Sequence, residues 1–138
     1  MEKVFIDTDI IFDLLCYREP FYIHSATLFS AADKREIKAY VSSLSFANLN
    51  YILSKEFTAS KARKILIKFK TLVTVLAVSD KIIELALASD FTDFEDAIQY
   101  HTALDNNIGI LLSRNIKHYK LSTIPVLTAE QYMKGKIS

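Results

Sequence analysis

The sequence predicts an α/β protein with a three-layer α/β/α fold around a central parallel sheet of four or five short strands. Apolar, β-branched stretches alternate with segments whose apolar residues recur at helical spacing, as in strand–helix–strand units. The first strand, residues 4–6, is apolar throughout, which is typical of a strand covered on both faces. Only two Gly and two Pro occur in 138 residues, so no linker is recognisable and residues 1–138 are expected to form one domain.

The other elements follow from capping residues, helical spacing and β-branched runs. Ser43 or Ser45 offers an N-cap for the helix after the second strand, and Ser79 with Asp80 offers one for a later helix. Residues 73–78 form either a third strand or an extended lead into the next helix. The predicted strands are residues 4–6, 38–42, 73–78, 109–113 and 124–128. The predicted helices are residues 10–16, 21–33, 46–57, 60–72, 81–88 and 94–104, with a last one from about 129.

Composition favours a soluble protein of the cytoplasm. The formal net charge of +1 gives no argument for or against a polyanionic partner. Cys16 lies in an apolar segment and is expected to be a reduced, buried thiol. No segment is long and apolar enough to span a bilayer, and acids interrupt the first apolar stretch, so neither a membrane span nor a signal peptide is predicted.

Polar side chains follow three of the predicted strands. Asp7 comes directly after the first strand, and Ser42 and Ser113 end two others. Ligands of open parallel sheets bind beyond the carboxyl ends of the strands, so these residues are expected at one functional edge. A buried carboxylate is costly unless it is paired or holds a cation. The alternative is ordinary capping of the next helix by Thr8 or Asp9.

A second acidic cluster comprises Asp93, Glu95 and Asp96. Asp93 is placed to cap the following helix, and acids in a first helical turn are favoured by the helix dipole alone. Asp96 is followed by the apolar Ala97 and Ile98, on a helix that is apolar on most sides. Asp96 is therefore expected to face a cleft as readily as solvent.

Three segments resemble motifs of the PIN domain family, the nuclease fold of VapC-type toxins. The family's opening is similar to VFIDTDIIFDLL (residues 4–15), and its third motif is similar to DFEDAIQ (residues 93–99). Its fourth motif, usually Thr-Arg-Asn-x-x-Asp-Phe, is similar to LSRNIKHY (residues 112–119). The motifs occur in the family's order, and the similarity extends from Met1 to about Tyr132. The resemblance implies a PIN-like fold and a ribonuclease whose acids hold one or two Mg²⁺ or Mn²⁺ ions.

Under this resemblance, Asp7 takes the position of the first acid and Asp96 that of the third, which makes both of them catalytic metal ligands. Asn48 takes the position of the second acid, as in a branch of the family, and His118 takes that of the fourth. Cation affinity is therefore expected to be weaker than at a four-acid site. Imidazole suits Mn²⁺ better than Mg²⁺; the alternative for His118 is a surface substitution without a ligand role.

Ser113 and Arg114 also belong to the fourth motif. Ser113 is predicted as a catalytic residue that orients Asp7 or a water, with a plain strand-end cap as the alternative. Arg114 is predicted to meet a phosphate. Asp9 stands where the family usually has Asn and adds negative charge. The predicted auxiliary residues are Asp9, Asn48, Asp93, Arg114, Asn115 and His118.

The resemblance thus implies an endoribonuclease that acts on RNA, the toxin half of a toxin–antitoxin pair. An antitoxin protein and a second copy of the chain, in a homodimer, are the expected partners. The alternative is a catalytically degenerate PIN domain that binds RNA or protein without cleavage. The missing fourth acid favours this alternative, whereas the retention of Asp7 and Asp96 favours the enzyme.

Overall fold

The computed structural model describes residues 1–137 as a five-stranded parallel sheet flanked by seven helices. The predicted α/β/α fold is confirmed. The strands are β1 (Glu2–Ile6), β2 (Ile37–Ser42), β3 (Thr74–Leu76), β4 (Leu111–Leu112) and β5 (Val126–Leu127). The helices are α1 (Thr8–Leu15), α2 (Tyr22–Asp33), α3 (Ser43–Glu56), α4 (Ala59–Lys70), α5 (Asp80–Ala88), α6 (Phe94–Asp105) and α7 (Ala129–Ile137), and a 3₁₀ turn covers Ile116–Tyr119.

The strand order is β3-β2-β1-β4-β5, so the chain builds outward on one side of β1 and then on the other. Phe5 of β1 pairs with Tyr40 of β2, and Ile6 pairs with Leu112 of β4, all in parallel register. The direction in which the chain adds strands to the sheet therefore reverses between β1 and β4. At such a switch point the segments that leave the two strands diverge, and a crevice opens beyond their carboxyl ends.

β1 is buried on both faces and anchors the sheet. Val4 and Ile6 pack in the core formed with α1 to α4 and α7, whereas Phe5 packs with residues of α6 on the other face. All three side chains are fully buried, and burial of each contributes about 1.5–3 kcal/mol. The residue that follows Ile6 is therefore held in place by a fully buried strand end.

The first helix begins earlier than predicted, because β1 runs directly into it. Asp7 is the N-cap of α1, and its Oδ1 accepts a hydrogen bond from the backbone N–H of Thr8 at 2.8 Å. The helix was expected to start near Ile10, which was wrong, and so was the alternative in which Thr8 or Asp9 caps it. Asp7 is thus both the end of a buried strand and the cap of a helix, which leaves its side chain little freedom.

The helix α3 is also capped one residue before the predicted site. Ser42, the last residue of β2, accepts from the backbone N–H of Ser45 at 3.2 Å, so the cap is neither Ser43 nor Ser45. Ser79 and Asp93 cap α5 and α6 as expected. Strand-to-helix transitions without a loop therefore bring both Asp7 and Ser42 to the carboxyl edge of the sheet.

Two expectations from composition concern Cys16 and membranes. Cys16 is a free thiol at the C-cap of α1; it packs against the core but is only half-buried, less than expected. Among residues 1–137, no helix has both the length and the apolar character needed to cross a membrane.

Candidate active site

A cleft of about 430 Å³ opens at the carboxyl ends of the strands, between α1, α3 and α6. Most of its lining residues carry polar side chains, although the surrounding core is apolar. The cleft brings together residues that are up to 108 positions apart, from Asp7 to Asn115. It is lined by Asp7, Thr8, Asp9, Asn48, Tyr51, Ile52, Glu95, Asp96, Gln99 and Asn115.

Asp7 lies at the bottom of this cleft and is 8% exposed. Its Oδ1 accepts from the Thr8 backbone N–H at 2.8 Å and from Gln99 Nε2 at 3.4 Å. Its Oδ2 accepts from Ser113 Oγ at 3.0 Å and from the Tyr119 hydroxyl at 2.7 Å. A carboxylate offers about four acceptor positions, so the three shorter bonds occupy most of those of Asp7. These bonds compensate for the burial of its charge.

Asp9 lies beside Asp7 and is only partly satisfied. Its Oδ2 accepts from Ser113 Oγ at 3.3 Å, from the Arg114 backbone N–H at 3.1 Å and from Asn115 Nδ2 at 3.1 Å. Its Oδ1 is buried and has no hydrogen-bond partner. Burial and, next, the charge of Asp7 raise the pKa of Asp9 to about 7. A cation in the cleft would relieve the repulsion between the two carboxylates.

Asp96 faces the cleft from the first turn of α6, which resolves the two alternatives for its side chain. That side chain is 15% exposed, and its Oδ2 lies 3.1 Å from His118 Nδ1. Its Oδ1 lies 3.4 Å from the Tyr119 hydroxyl. Burial, then the charges of Asp7 and Asp93, raise the pKa of Asp96 to about 6, although His118 opposes the shift. Asp93 itself caps the helix through the Asp96 N–H at 3.0 Å.

The donor set fits a hydrated divalent cation better than a closed cage. Asp7, Asp9 and Asp96 supply carboxylate oxygens, and Asn48 on the opposite wall offers an amide oxygen. Within the described residues 1–137, no three His, Cys, Asp or Glu side chains form a set that would hold a metal ion by themselves. Mg²⁺ keeps several waters and commonly uses only one or two protein carboxylates, so this arrangement suits it.

Arg114 lies on the other side of α1, outside the carboxylate cleft. Its Nε donates to Oδ2 of the fully buried Asp13 at 2.6 Å, and its guanidinium carbon lies 4.3 Å from the centre of the Phe21 ring. These contacts border a separate cavity of about 170 Å³. The side chain predicted to meet a phosphate is thus engaged in a buried ion pair, whereas its backbone N–H is the group that reaches Asp9.

Gln99 is a site residue that the sequence did not single out. It is 2% exposed, and its Nε2 donates to Ser45 Oγ at 2.9 Å and Thr8 Oγ1 at 3.2 Å in addition to Asp7. Its Oε1 accepts from Ser42 Oγ at 2.6 Å. The available signal was its position one helical turn after Asp96, which places it on the same face of α6.

Tyr119 is the second residue without a predicted role. It is 3% exposed and belongs to an aromatic cluster with Tyr100 and Phe91, whose ring meets that of Tyr119 edge-on at 6.1 Å. Burial, with the charges of Asp7 and Asp96, raises the pKa of the Tyr119 phenol far above its usual range, so its hydroxyl keeps its proton and donates. The signal was a hydroxyl at the last aromatic position of the fourth motif.

The chain resembles known proteins in sequence and in fold. Residues 3–117 match the sequence profile of the PIN domain family. The fold is similar to that of a toxin–antitoxin complex from Klebsiella pneumoniae, with 22% identity, a TM-score of 0.67, and coverage of 91% of this chain and 97% of that one. No curated protein matches the chain in sequence.

Two further solved structures share this fold. VapBC2 from Rickettsia felis, bound to a DNA fragment from its promoter, has 18% identity and a TM-score of 0.66, over 91% of this chain and 96% of that one. DNA-bound VapBC from Salmonella typhimurium has 15% identity and a TM-score of 0.69, over 94% of this chain and 99% of that one. At these identities the likeness concerns the fold.

Proposed function

The chain belongs to the PIN domain family, and we propose that it is a divalent-metal-dependent endoribonuclease, the toxin of a toxin–antitoxin pair. In this proposal residues 1–138 form a single domain that acts on RNA in the cytoplasm. The observation that carries it is the convergence of Asp7, Asp9 and Asp96 in one open cleft at the switch point of the sheet. Three carboxylates in one cleft, one with an unpaired buried oxygen, are a costly arrangement unless a cation neutralises them.

Asp7 and Asp96 are the proposed ligands of Mg²⁺ or Mn²⁺, with Asp9 and Asn48 as auxiliary oxygen donors. The bound ion would supply a nucleophilic water and stabilise charge on the phosphodiester. Ser113 holds Asp7 and Asp9 together, because its hydroxyl lies within hydrogen-bonding distance of both. These residues position the acids, and the open side of the cleft leaves room for an RNA phosphate.

One observation favours the alternative of a PIN domain that binds RNA or protein without cleavage. Oδ2 of Asp96 pairs with His118, which replaces the fourth acid, and Oδ2 of Asp7 is held by Ser113 and Tyr119. Each of these bonds competes with a metal ion for a carboxylate oxygen. A site with this composition is expected to bind cations weakly. A PIN domain that binds no cation at all would keep the family's fold without its cleavage activity.

The partners follow from the structural neighbours. The similar structures from Klebsiella pneumoniae, Rickettsia felis and Salmonella typhimurium are toxin–antitoxin complexes, two of them bound to DNA. This likeness supports an antitoxin protein as a partner of the present chain. The family resemblance also implies a second copy of the chain as a partner, in a homodimer.

The deciding experiment is cleavage of a structured RNA by the purified full chain in Mg²⁺ or Mn²⁺. The wild type is expected to cleave, and Asp7→Asn is expected to lose cleavage. Glu36→Gln is the matched control, because Glu36 is an exposed acid just before β2, at the opposite edge of the sheet. Equal cleavage by Asp7→Asn, or none by the wild type in either metal, would contradict the enzyme and favour the binding module.

A further inference from the structure

The Tyr119 hydroxyl contacts two carboxylates at once. Its oxygen lies 2.7 Å from Oδ2 of Asp7 and 3.4 Å from Oδ1 of Asp96. These residues come from three separate segments: the end of β1, the first turn of α6 and the 3₁₀ turn after β4. A neutral hydroxyl has one proton to donate, so the shorter bond to Asp7 is the main one, and Asp96 receives a weaker contact.

A cation shared by Asp7 and Asp96 would need the oxygens that Tyr119 now contacts. Oδ1 of Asp7 accepts from the backbone N–H of Thr8 at 2.8 Å and has only a long contact of 3.4 Å with Gln99, whose two amide protons have shorter contacts with Ser45 and Thr8. Both acceptor positions on Oδ2 are taken, by Ser113 at 3.0 Å and by Tyr119 at 2.7 Å. A cation can therefore bind Oδ2 of Asp7 only if one of these two hydroxyls leaves.

Of these four donors, Tyr119 is the one whose hydrogen-bonding group also contacts the Asp96 carboxylate. The Thr8 N–H belongs to the start of α1, and Gln99 is tied to Ser42 and Ser45. Ser113 reaches toward Asp9, at 3.3 Å, which is the other side of Asp7. Entry of a cation between Asp7 and Asp96 thus competes directly with the Tyr119 hydroxyl.

The aromatic ring keeps the hydroxyl in this place. Tyr119 is buried in a cluster with Phe5, Tyr100 and Leu111 and makes an edge-on contact with Phe91, so the ring cannot turn away without opening that cluster. A phenylalanine in the same place would keep the packing and lose only the oxygen.

We propose that the Tyr119 hydroxyl takes the place of a cation between Asp7 and Asp96 and thereby lowers the affinity of the cleft for divalent ions. The inference rests on the proposed function only in taking these two acids as the metal ligands. Tyr119 is then a positioning residue that holds the acids together when no ion is bound. It sets the ion concentration at which the cleft fills.

The test is Mn²⁺ binding to the full chain by isothermal titration calorimetry at pH 8, for the wild type and Tyr119→Phe. Loss of a hydrogen bond to a charged acceptor corresponds to about tenfold or more in an equilibrium constant, so Tyr119→Phe is expected to bind Mn²⁺ about tenfold more tightly. Its melting temperature without metal is expected to fall. A merely structural role would lower stability and metal affinity together, whereas the proposal requires them to change in opposite directions.

Tyr100→Phe is the matched control. The Tyr100 hydroxyl is also buried in this cluster, but it bonds Thr123 Oγ1 at 2.9 Å, away from the acids. This variant is expected to lose stability with unchanged Mn²⁺ affinity. Unchanged or weaker Mn²⁺ binding by Tyr119→Phe overturns the inference, and the cleavage assay of Asp7→Asn then still decides the proposed function. Absence of Mn²⁺ binding in both proteins overturns the inference and also removes Asp7 and Asp96 as metal ligands.

Discussion

His118 Nδ1 lies 3.1 Å from Oδ2 of Asp96, so the residue at the position of the fourth acid contacts the third acid directly. A carboxylate at this position would repel Asp96 and attract a cation. The imidazole instead pairs with Asp96 and stabilises its charged form. The substitution therefore removes one acid from the cleft and also occupies an oxygen of the neighbouring acid.

We expect His118→Asp to strengthen Mg²⁺ binding roughly thirtyfold, because one added negative charge at about 4 Å from a divalent ion contributes ~2 kcal/mol in a water-like environment. The His118 side chain is 55% exposed, so the water-like value applies. Titration calorimetry measures the change, and His118→Asn controls for loss of the imidazole without a new charge. Equal affinities of the two variants would show that this position lies outside the reach of the ion.

The metal-free protein is expected to lose stability as the pH rises from about 4 to 7. The pKa values of Asp9 and Asp96 are raised to about 7 and 6, so the folded state keeps protons that the unfolded state, with Asp near 3.9, releases. The stability that Asp9 and Asp96 contribute is therefore greatest below their pKa in the unfolded state. It declines as the pH rises, until the pH exceeds their pKa values in the folded state.

Melting temperatures measured between pH 4 and 8 without metal check this expectation. Asp9→Asn is expected to flatten the decline and to be more stable than the wild type at pH 8 by a few degrees, or ~1 kcal/mol. Glu36→Gln, at the opposite edge of the sheet, is expected to follow the wild-type profile. A profile of Asp9→Asn parallel to the wild type would contradict the buried, repelled state of Asp9.

Gln99→Leu is expected to lower the free energy of unfolding by ~2–3 kcal/mol. Leucine is similar in size but has no polar atoms, so the Ser42 hydroxyl loses its closest acceptor and the Ser45 hydroxyl loses the Gln99 donor. Buried hydrogen-bonding groups that lose a partner cost about 1–3 kcal/mol each. Urea unfolding measures the loss. Gln131→Leu, which removes only an exposed capping bond to Thr128, should cost much less, and similar losses in both variants would refute a special role of Gln99.

Arg114→Ala is expected to act mainly on stability, by ~3 kcal/mol or more, because it leaves the fully buried Asp13 without its ion-pair partner. Asp13→Asn in the same background is expected to restore part of the loss, since it removes the unpaired charge. Urea unfolding of the single and double variants measures both effects. Weaker RNA binding by Arg114→Ala at unchanged stability would instead assign its side chain to a phosphate.

The site residues that the sequence revealed are those that mark element boundaries. Asp7 follows an apolar run that is readable without a structure, and Asp93 precedes a recognisable helix. Their positions depend on local patterns, so the prediction that Asp7 lies at the carboxyl edge of the sheet held. The caps of α1 and α3 were misplaced by one to three residues, because a strand that passes directly into a helix leaves no loop to mark the boundary.

Gln99 and Tyr119 are the site residues that local sequence patterns did not reveal. Each lies in a segment whose spacing of apolar residues is equally consistent with a core or a surface position. Gln99 contacts Asp7 across 92 residues of sequence, and Tyr119 contacts it across 112. The direction of a side chain at that range depends on which elements pack together, and hydrophobic spacing does not encode it. The same holds for Arg114, whose pairing with Asp13 depends on how α1 lies against the segment after β4.

The sequence by itself determined the alternation of strands and helices, the buried first strand and the acid at its end, because these follow from local spacing of apolar and capping residues. Only the tertiary structure decided what surrounds Asp7. The order β2-β1-β4 brings Ser113 and Tyr119 to its Oδ2, and packing of α6 brings Gln99 and Asp96 to the same cleft. These contacts join segments far apart in the chain, so they form only when the strands have paired and the helices have packed on both faces of the sheet.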